Sequence, residues 1–214
     1  MGESADEQKR NAQFLLEEYK QLDNERVRLR DEGIARLNFF LTLTSAVLGG
    51  IVLFGQSTPS FKIEYILLIA LIFLSIIGWY TFSFTVDRDI NTDRLLRAAG
   101  RIRRYFTNNS PNIKSHIMWQ DHDEPSKYVT SNNSVVRKIM QATLSLLLGL
   151  TVGLLINLIS RNIVILLSAG VVSFVIFWLN FEFYARRHFK KAVKDAEAQI
   201  LQPKRQPAKA SNIK

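Results

Sequence analysis

IMQATLSLLLGLTVGLLINLIS-RN-IVILLSAGVVSFVIFWLNFEF, residues 139–183, decides the architecture. Two apolar runs of about twenty residues each flank the dipeptide Arg161-Asn162, and about 20 helical residues at 1.5 Å rise cross a hydrocarbon layer. So short a link permits only an antiparallel hairpin. A second apolar hairpin, 37–86, precedes it. The expected fold is therefore all-α: an integral membrane protein with four transmembrane helices in two hairpins, carrying long helical extensions.

Working outward, five segments emerge. They are an amphipathic helix over 1–36, the first hairpin over 37–86, a basic helix and loop over 87–138, the second hairpin over 139–183, and a basic helix with a polar tail over 184–214. The chain's 47% hydrophobic content is ordinary on average, but its residues are segregated into blocks, which points to a membrane bundle with polar appendages. Of the 28 Lys and Arg residues, only Lys62 and Arg161 fall in the two short turns. Positive residues stay on the cytoplasmic side, so both termini and the central segment are expected there, in a multi-pass protein of the cell (inner) membrane. Nine of the first 36 residues are acidic; the stretch does not resemble a cleavable leader, and the first span is expected to act as its own insertion signal.

The N-terminal segment carries no proline, and Gly33 is its sole glycine after Gly2. Ser4 and Glu7 form a capping-box pattern, and Glu17/Lys20 and Glu32/Arg36 have helical ion-pair spacing. Leu15, Tyr19, Leu22 and Leu29 make a partial stripe that calls for a partner, either another helix of the same assembly or a separate cytosolic protein. This helix is expected to run unbroken into the first span. The second span is expected to continue as a basic helix to about Phe106, stopped by Asn108-Asn109-Ser110-Pro111, and the fourth to continue to about Gln202. Ser134 is the candidate cap of the third.

Small and polar residues repeat along the spans at helical spacing. Asn38, Thr42, Ser45 and Gly49 share one face of the first. Ser75, Gly78, Thr81 and Thr85 mark the second. Ala142, Ser145, Gly149, Gly153, Asn157 and Ser160 mark the third, and Ala169, Ser173 and Asn180 the fourth. Such faces allow close helix approach and hydrogen bonds across the contact. They serve either helix packing or the lining of a pore, and homo-oligomers are expected because one copy does not have contacts enough for four such faces.

Candidate chemistry is sparse. The cluster His116, Asp121, His122, Asp123 and Glu124 has two histidines six apart without metal-ligand spacing, and reads as a solvated loop. There are no cysteines, and no phosphate-binding loop, HExxH or GxSxG pattern occurs. The reading is a non-enzyme with no catalytic, cofactor-binding or metal-binding residues. Arg97, Arg101 and Arg104 share a helix face; with Arg186 and Arg187 they are candidates for anionic lipid headgroups or another anionic ligand. Nucleic acid is disfavoured because stacking aromatics are not interleaved among them. Glu182 is paired on paper with Arg186, one turn on.

The block EEYKQLDNERVRLRDEGIARLNFFLTLTSAVLGGIVL (17–53) resembles the entry helix and first span of small bacterial membrane proteins, and the overall layout resembles SLATT-type and four-helix membrane effectors of antiviral defence. That resemblance implies an oligomer that forms pores or perturbs the membrane on a partner's signal. It transfers no functional residue. The alternatives are a membrane-anchored sensor or scaffold that recruits a cytosolic partner, and a small transporter or channel.

Overall fold

The computed structural model describes residues 5–57, 63–109, 112, 116, 123–160 and 162–201. It contains four long helices and one short one. They are α1 (Ala5–Ser57), α2 (Ile63–Asn109), α3 (Lys127–Thr130), α4 (Val135–Ser160) and α5 (Ile163–Leu201). All four long helices are long and apolar enough to cross a membrane. The expected continuity holds: α1 runs from a charged arm into an apolar segment, and α2 from an apolar segment into a charged arm, each without a break. At 53 residues α1 is about 80 Å long. The expected cap Ser4 lies outside the described residues.

The hairpins pair α1 with α2 and α4 with α5, and the α2–α4 contact joins them. The order across the bundle is α1, α2, α4, α5. One end holds the interhelical turns. The other, here the charged end, holds the arms of α1, α2 and α5 and the segment 123–134.

Two crossings define the packing. At the first, Phe40 of α1 and Leu144 of α4 are both fully buried against Gly78 of α2. A Cβ at Gly78 would lie 2.8 Å from the tip of the Phe40 ring and 2.9 Å from a Leu144 methyl, so a side chain there would have to displace both. At the second, Gly149 and Gly153 of α4 lie on Gly170 of α5. A Cβ at Gly149 would stand 2.8 Å from the Gly170 carbonyl oxygen, and one at Gly153 would stand 3.1 Å from that of Leu166. Among lipid tails the hydrophobic effect gives no net drive to helix association, so this close fit supplies the dispersion contacts that hold the hairpin.

At the charged end, the half-buried stripe of α1 finds its partner in the arm of α2. Arg103 donates to the Tyr19 hydroxyl at 2.8 Å, with its guanidinium 5.2 Å from the ring centroid. Glu17/Lys20 and Glu32/Arg36 form the expected ion pairs. Gly33 has a specific cause. The Arg88 side chain passes across its Cα, with Nη1 only 1.7 Å from where a Cβ would be.

Candidate functional site: a buried ionic junction at the charged end

One face of α2 stays buried as the helix leaves its apolar segment. Gly78, Phe82 and Thr85 are followed on it by Asp89, Asp93 and Arg97. Three ionisable side chains thus enter the packed interior where the spans end; Asp89 is matched by Arg137 of α4, and Asp93 and Arg97 by the segment 123–126.

Asp89 is 2% exposed, and Arg137, in the first turn of α4, is 0% exposed. Arg137 Nη1 donates to Asp89 Oδ2, and its Nη2 donates to the Asn132 side-chain oxygen. The guanidinium lies 4.8 Å from the Phe189 ring centroid, a cation–π contact with α5. Asp89 Oδ1 accepts from Arg88 at 2.7 Å and from the Ser134 hydroxyl at 3.4 Å. Ser134 sits where a cap was expected, and its carbonyl accepts the first helical bond, from Lys138. Its hydroxyl, however, is turned to the ionic pair rather than to the helix. Burial pulls the Arg137 guanidinium down from its ordinary range, while Asp89, by charge and by hydrogen bond, acts in the opposite direction. Arginine remains cationic through this contest.

Asn132 is the hub. It is 6% exposed and has φ 52°, in the left-handed region that asparagine tolerates better than most side chains. Its amide nitrogen donates to Glu182 Oε1 while its oxygen accepts from Arg137. Glu182 also accepts from Lys138 at 2.7 Å and from Arg186 at 2.9 Å. The path Arg88–Asp89–Arg137–Asn132–Glu182 therefore ties α2, α4 and α5 together through one amide. Asn132→Ala is expected to cost about 2 kcal/mol, from the lost bonds to charged groups and from left-handed strain. Asn132→Gly should recover about 1 kcal/mol of that by relieving the backbone alone. Denaturation in mixed micelles reads both; equal losses would remove the backbone contribution from the account.

The segment 123–126 is pinned to α2 further out. Asp93 Oδ1 accepts from the Ser126 backbone N–H at 2.6 Å. Arg97 Nε donates to the Asp123 carbonyl at 3.2 Å, and Arg101 pairs with the Asp123 carboxylate at 3.2 Å.

The expected site residues are distributed unevenly. Arg97 is buried and Arg101 is paired, so the basic face drawn through Arg97, Arg101 and Arg104 is partly used internally; Arg104 and Arg187 are exposed. Glu182 has the expected partner Arg186 and two more besides. Ser145 is fully buried, and Gly149 and Gly153 pack within the hairpin. Asn157 is half-buried, and Asn180 donates to the Ile176 carbonyl of its own helix at 3.0 Å. Asn38, Thr42, Ser45 and Gly49 are all exposed. Asp121 and His122 of the 116–124 cluster lie outside the described residues; among those described, no group of three or more His, Asp or Glu side chains could hold a metal ion.

Comparison with known protein families, with curated proteins and with solved structures finds no match. The junction therefore rests on its own chemistry. It joins α2, α4 and α5 through ion pairs and hydrogen bonds. Asp89, Asn132 and Arg137 were not expected from the sequence. The signal for Arg137 was its register: it precedes Gln141 by four and Leu144 by seven, on the face that buries both.

Proposed function

We propose that the chain is a non-enzymatic, oligomeric membrane effector whose spans perforate or perturb a bilayer under control of its charged arms, with those arms and both termini cytoplasmic. The observation that carries this reading is the outward face of the α1 span. Asn38, Thr42, Ser45 and Gly49 are exposed, the three polar side chains make no hydrogen bond among the described residues, and nothing lies within 4 Å of a Cβ at Gly49 or Gly50. By contrast, the corresponding face of α4 is spent on α5. Polar groups facing hydrocarbon require partners, and small residues admit a close one. A second copy, or a water-filled path between copies, supplies them. The side of the bilayer follows from the Lys and Arg distribution, and a setting in bacterial antiviral defence follows from the resemblance to SLATT-type effectors.

The absence of cysteine makes the test direct. Ser45→Cys, oxidised in vesicles, should give a disulfide-linked dimer. Gly49→Leu should leave the thermal unfolding of the single chain unchanged, because the site is open, while lowering ion flux from loaded liposomes at least about tenfold, the scale of one lost packing contact near 1.4 kcal/mol. Background flux from the native protein at every protein-to-lipid ratio, together with no cross-link, would end this proposal.

A recruiting role is favoured by a separate observation. Phe14 and Leu16, on the arm of α1, are 69% and 51% exposed, and bulky apolar side chains in water are candidate contacts for a soluble partner. On this reading the arm is the input and the α1 span the output.

A further inference from the structure

Beyond the ring cluster formed by Trp79, Phe82, Phe181 and Tyr184, α2 and α5 separate. Between them lies a crevice of about 530 Å³, with Ile72, Ser75 and Trp79 on one wall, Phe177 and Asn180 on the other, and Thr151 of α4 at the back. All of these residues belong to apolar segments, so the crevice opens sideways into the hydrocarbon layer. Its polar atoms are few. Thr151 donates to the Leu147 carbonyl at 2.7 Å and the Asn180 amide nitrogen to that of Ile176, while the Ser75 hydroxyl is buried without a partner among the described residues. A stable water needs two to four polar partners, so the space suits an apolar occupant.

The foot of the crevice is charged. On α5, Arg187 and Lys191 follow Asn180 by seven and eleven residues, which returns them to its face within about 20° of helix rotation and about 10–16 Å further along the axis. Both are exposed, and neither makes an ion pair among the described residues. Arg186, by contrast, is engaged by Glu182. A tail-sized apolar crevice above two free cations has the dimensions and polarity of one membrane lipid in the leaflet at the charged end.

We propose that the α2–α5 crevice is a binding site for a single anionic phospholipid, with one acyl chain between Trp79 and Phe177 and the headgroup phosphate on Arg187 and Lys191. The site rests on the membrane-spanning reading of the helices and not on pore formation, so lipid selectivity and ion flux can fail independently.

The test uses the full chain with Trp119→Phe and Trp178→Phe, which leaves Trp79 as the only fluorophore of the three tryptophans. It is reconstituted in phosphatidylcholine vesicles containing either phosphatidylglycerol or phosphatidylcholine brominated on its acyl chains. Brominated phosphatidylglycerol should quench Trp79 with an apparent affinity about tenfold above that of brominated phosphatidylcholine, the preference expected from two interfacial cations. Arg187→Gln/Lys191→Gln, at exposed positions, should equalise the two lipids, and Thr151→Phe should weaken quenching by both. In native mass spectrometry, the unaltered chain should retain one phosphatidylglycerol that the Gln variant loses. Equal quenching by the two lipids, with no retained adduct, would overturn the site. So would protection of Trp79 from both lipids, which would assign the crevice to a second copy of the chain.

Discussion

Replacing Asp89 by alanine is expected to destabilise the bundle by about 3–5 kcal/mol, the range for stranding one partner of a buried ion pair. Arg137 would keep the Asn132 oxygen and the Phe189 ring but would lose the one carboxylate within hydrogen-bonding range of it among the described residues. It cannot shed its charge and cannot reach water, since it is fully buried. Nε of the same guanidinium already lacks a partner, so the group has no spare bonding to fall back on. The reverse change, Arg137→Leu, should cost a similar amount, because Asp89 would be left with Arg88 and Ser134 alone. The double variant Asp89→Leu/Arg137→Leu is the informative one. Replacing both charges by apolar groups is often neutral or stabilising, so it should regain most of the loss. Denaturant titration in mixed micelles gives all three values, and additive losses in the double variant would rule out direct coupling between the two residues.

The second large effect lies in the spans. Gly149→Val is expected to cost about 3 kcal/mol, the upper range for overpacking a close contact. The new Cβ would meet the backbone oxygen of Gly170 at 2.8 Å and the Phe174 Cβ and backbone nitrogen at 3.3 Å. Backbone cannot swing aside as the end of a side chain can, so α4 and α5 must separate. Gly170→Ala is the control. Its Cβ would find the Gly149 oxygen at 3.4 Å, ordinary contact, and the loss should stay under about 1 kcal/mol. Thermal unfolding in detergent should rank the two in that order. If they behaved alike, the contact would be looser than its distances imply.

Much of the fold was legible in the sequence because membrane helices are specified by length and segregation of apolar residues, which need no tertiary knowledge. The continuity of α1 and α2 was legible for the same reason, since neither run contains proline. The small-polar faces were also visible, but their division of labour was not. Gly149 and Asn38 carry the same kind of signal, and only the packing shows one pressed on α5 and the other facing outward. The ionic junction was the least visible part. Asp89 and Arg137 are 48 residues apart, and Arg137 next to Lys138 at the edge of a span looks like interfacial charge of the usual kind. The full burial of Arg137 and the only partial burial of Lys138 follow from helical register, which is lost when charges are only counted by segment. Asn132 gave no pattern at all, because its role depends on a left-handed backbone that brings Arg137 and Glu182 to either end of one amide.

The unbroken course of α1 has a mechanical consequence. From Phe14 to Gly49 the helix is one beam about 50 Å long, with no proline to act as a joint. Its one glycine in the arm is not a hinge either, because the Arg88 side chain crosses it and ends on Asp89 and Ser134. That crossing is a fulcrum. A push on the exposed end at Phe14 would tilt the beam about Gly33 and swing the face bearing Asn38 and Ser45 the opposite way, with the ionic junction as the anchored post.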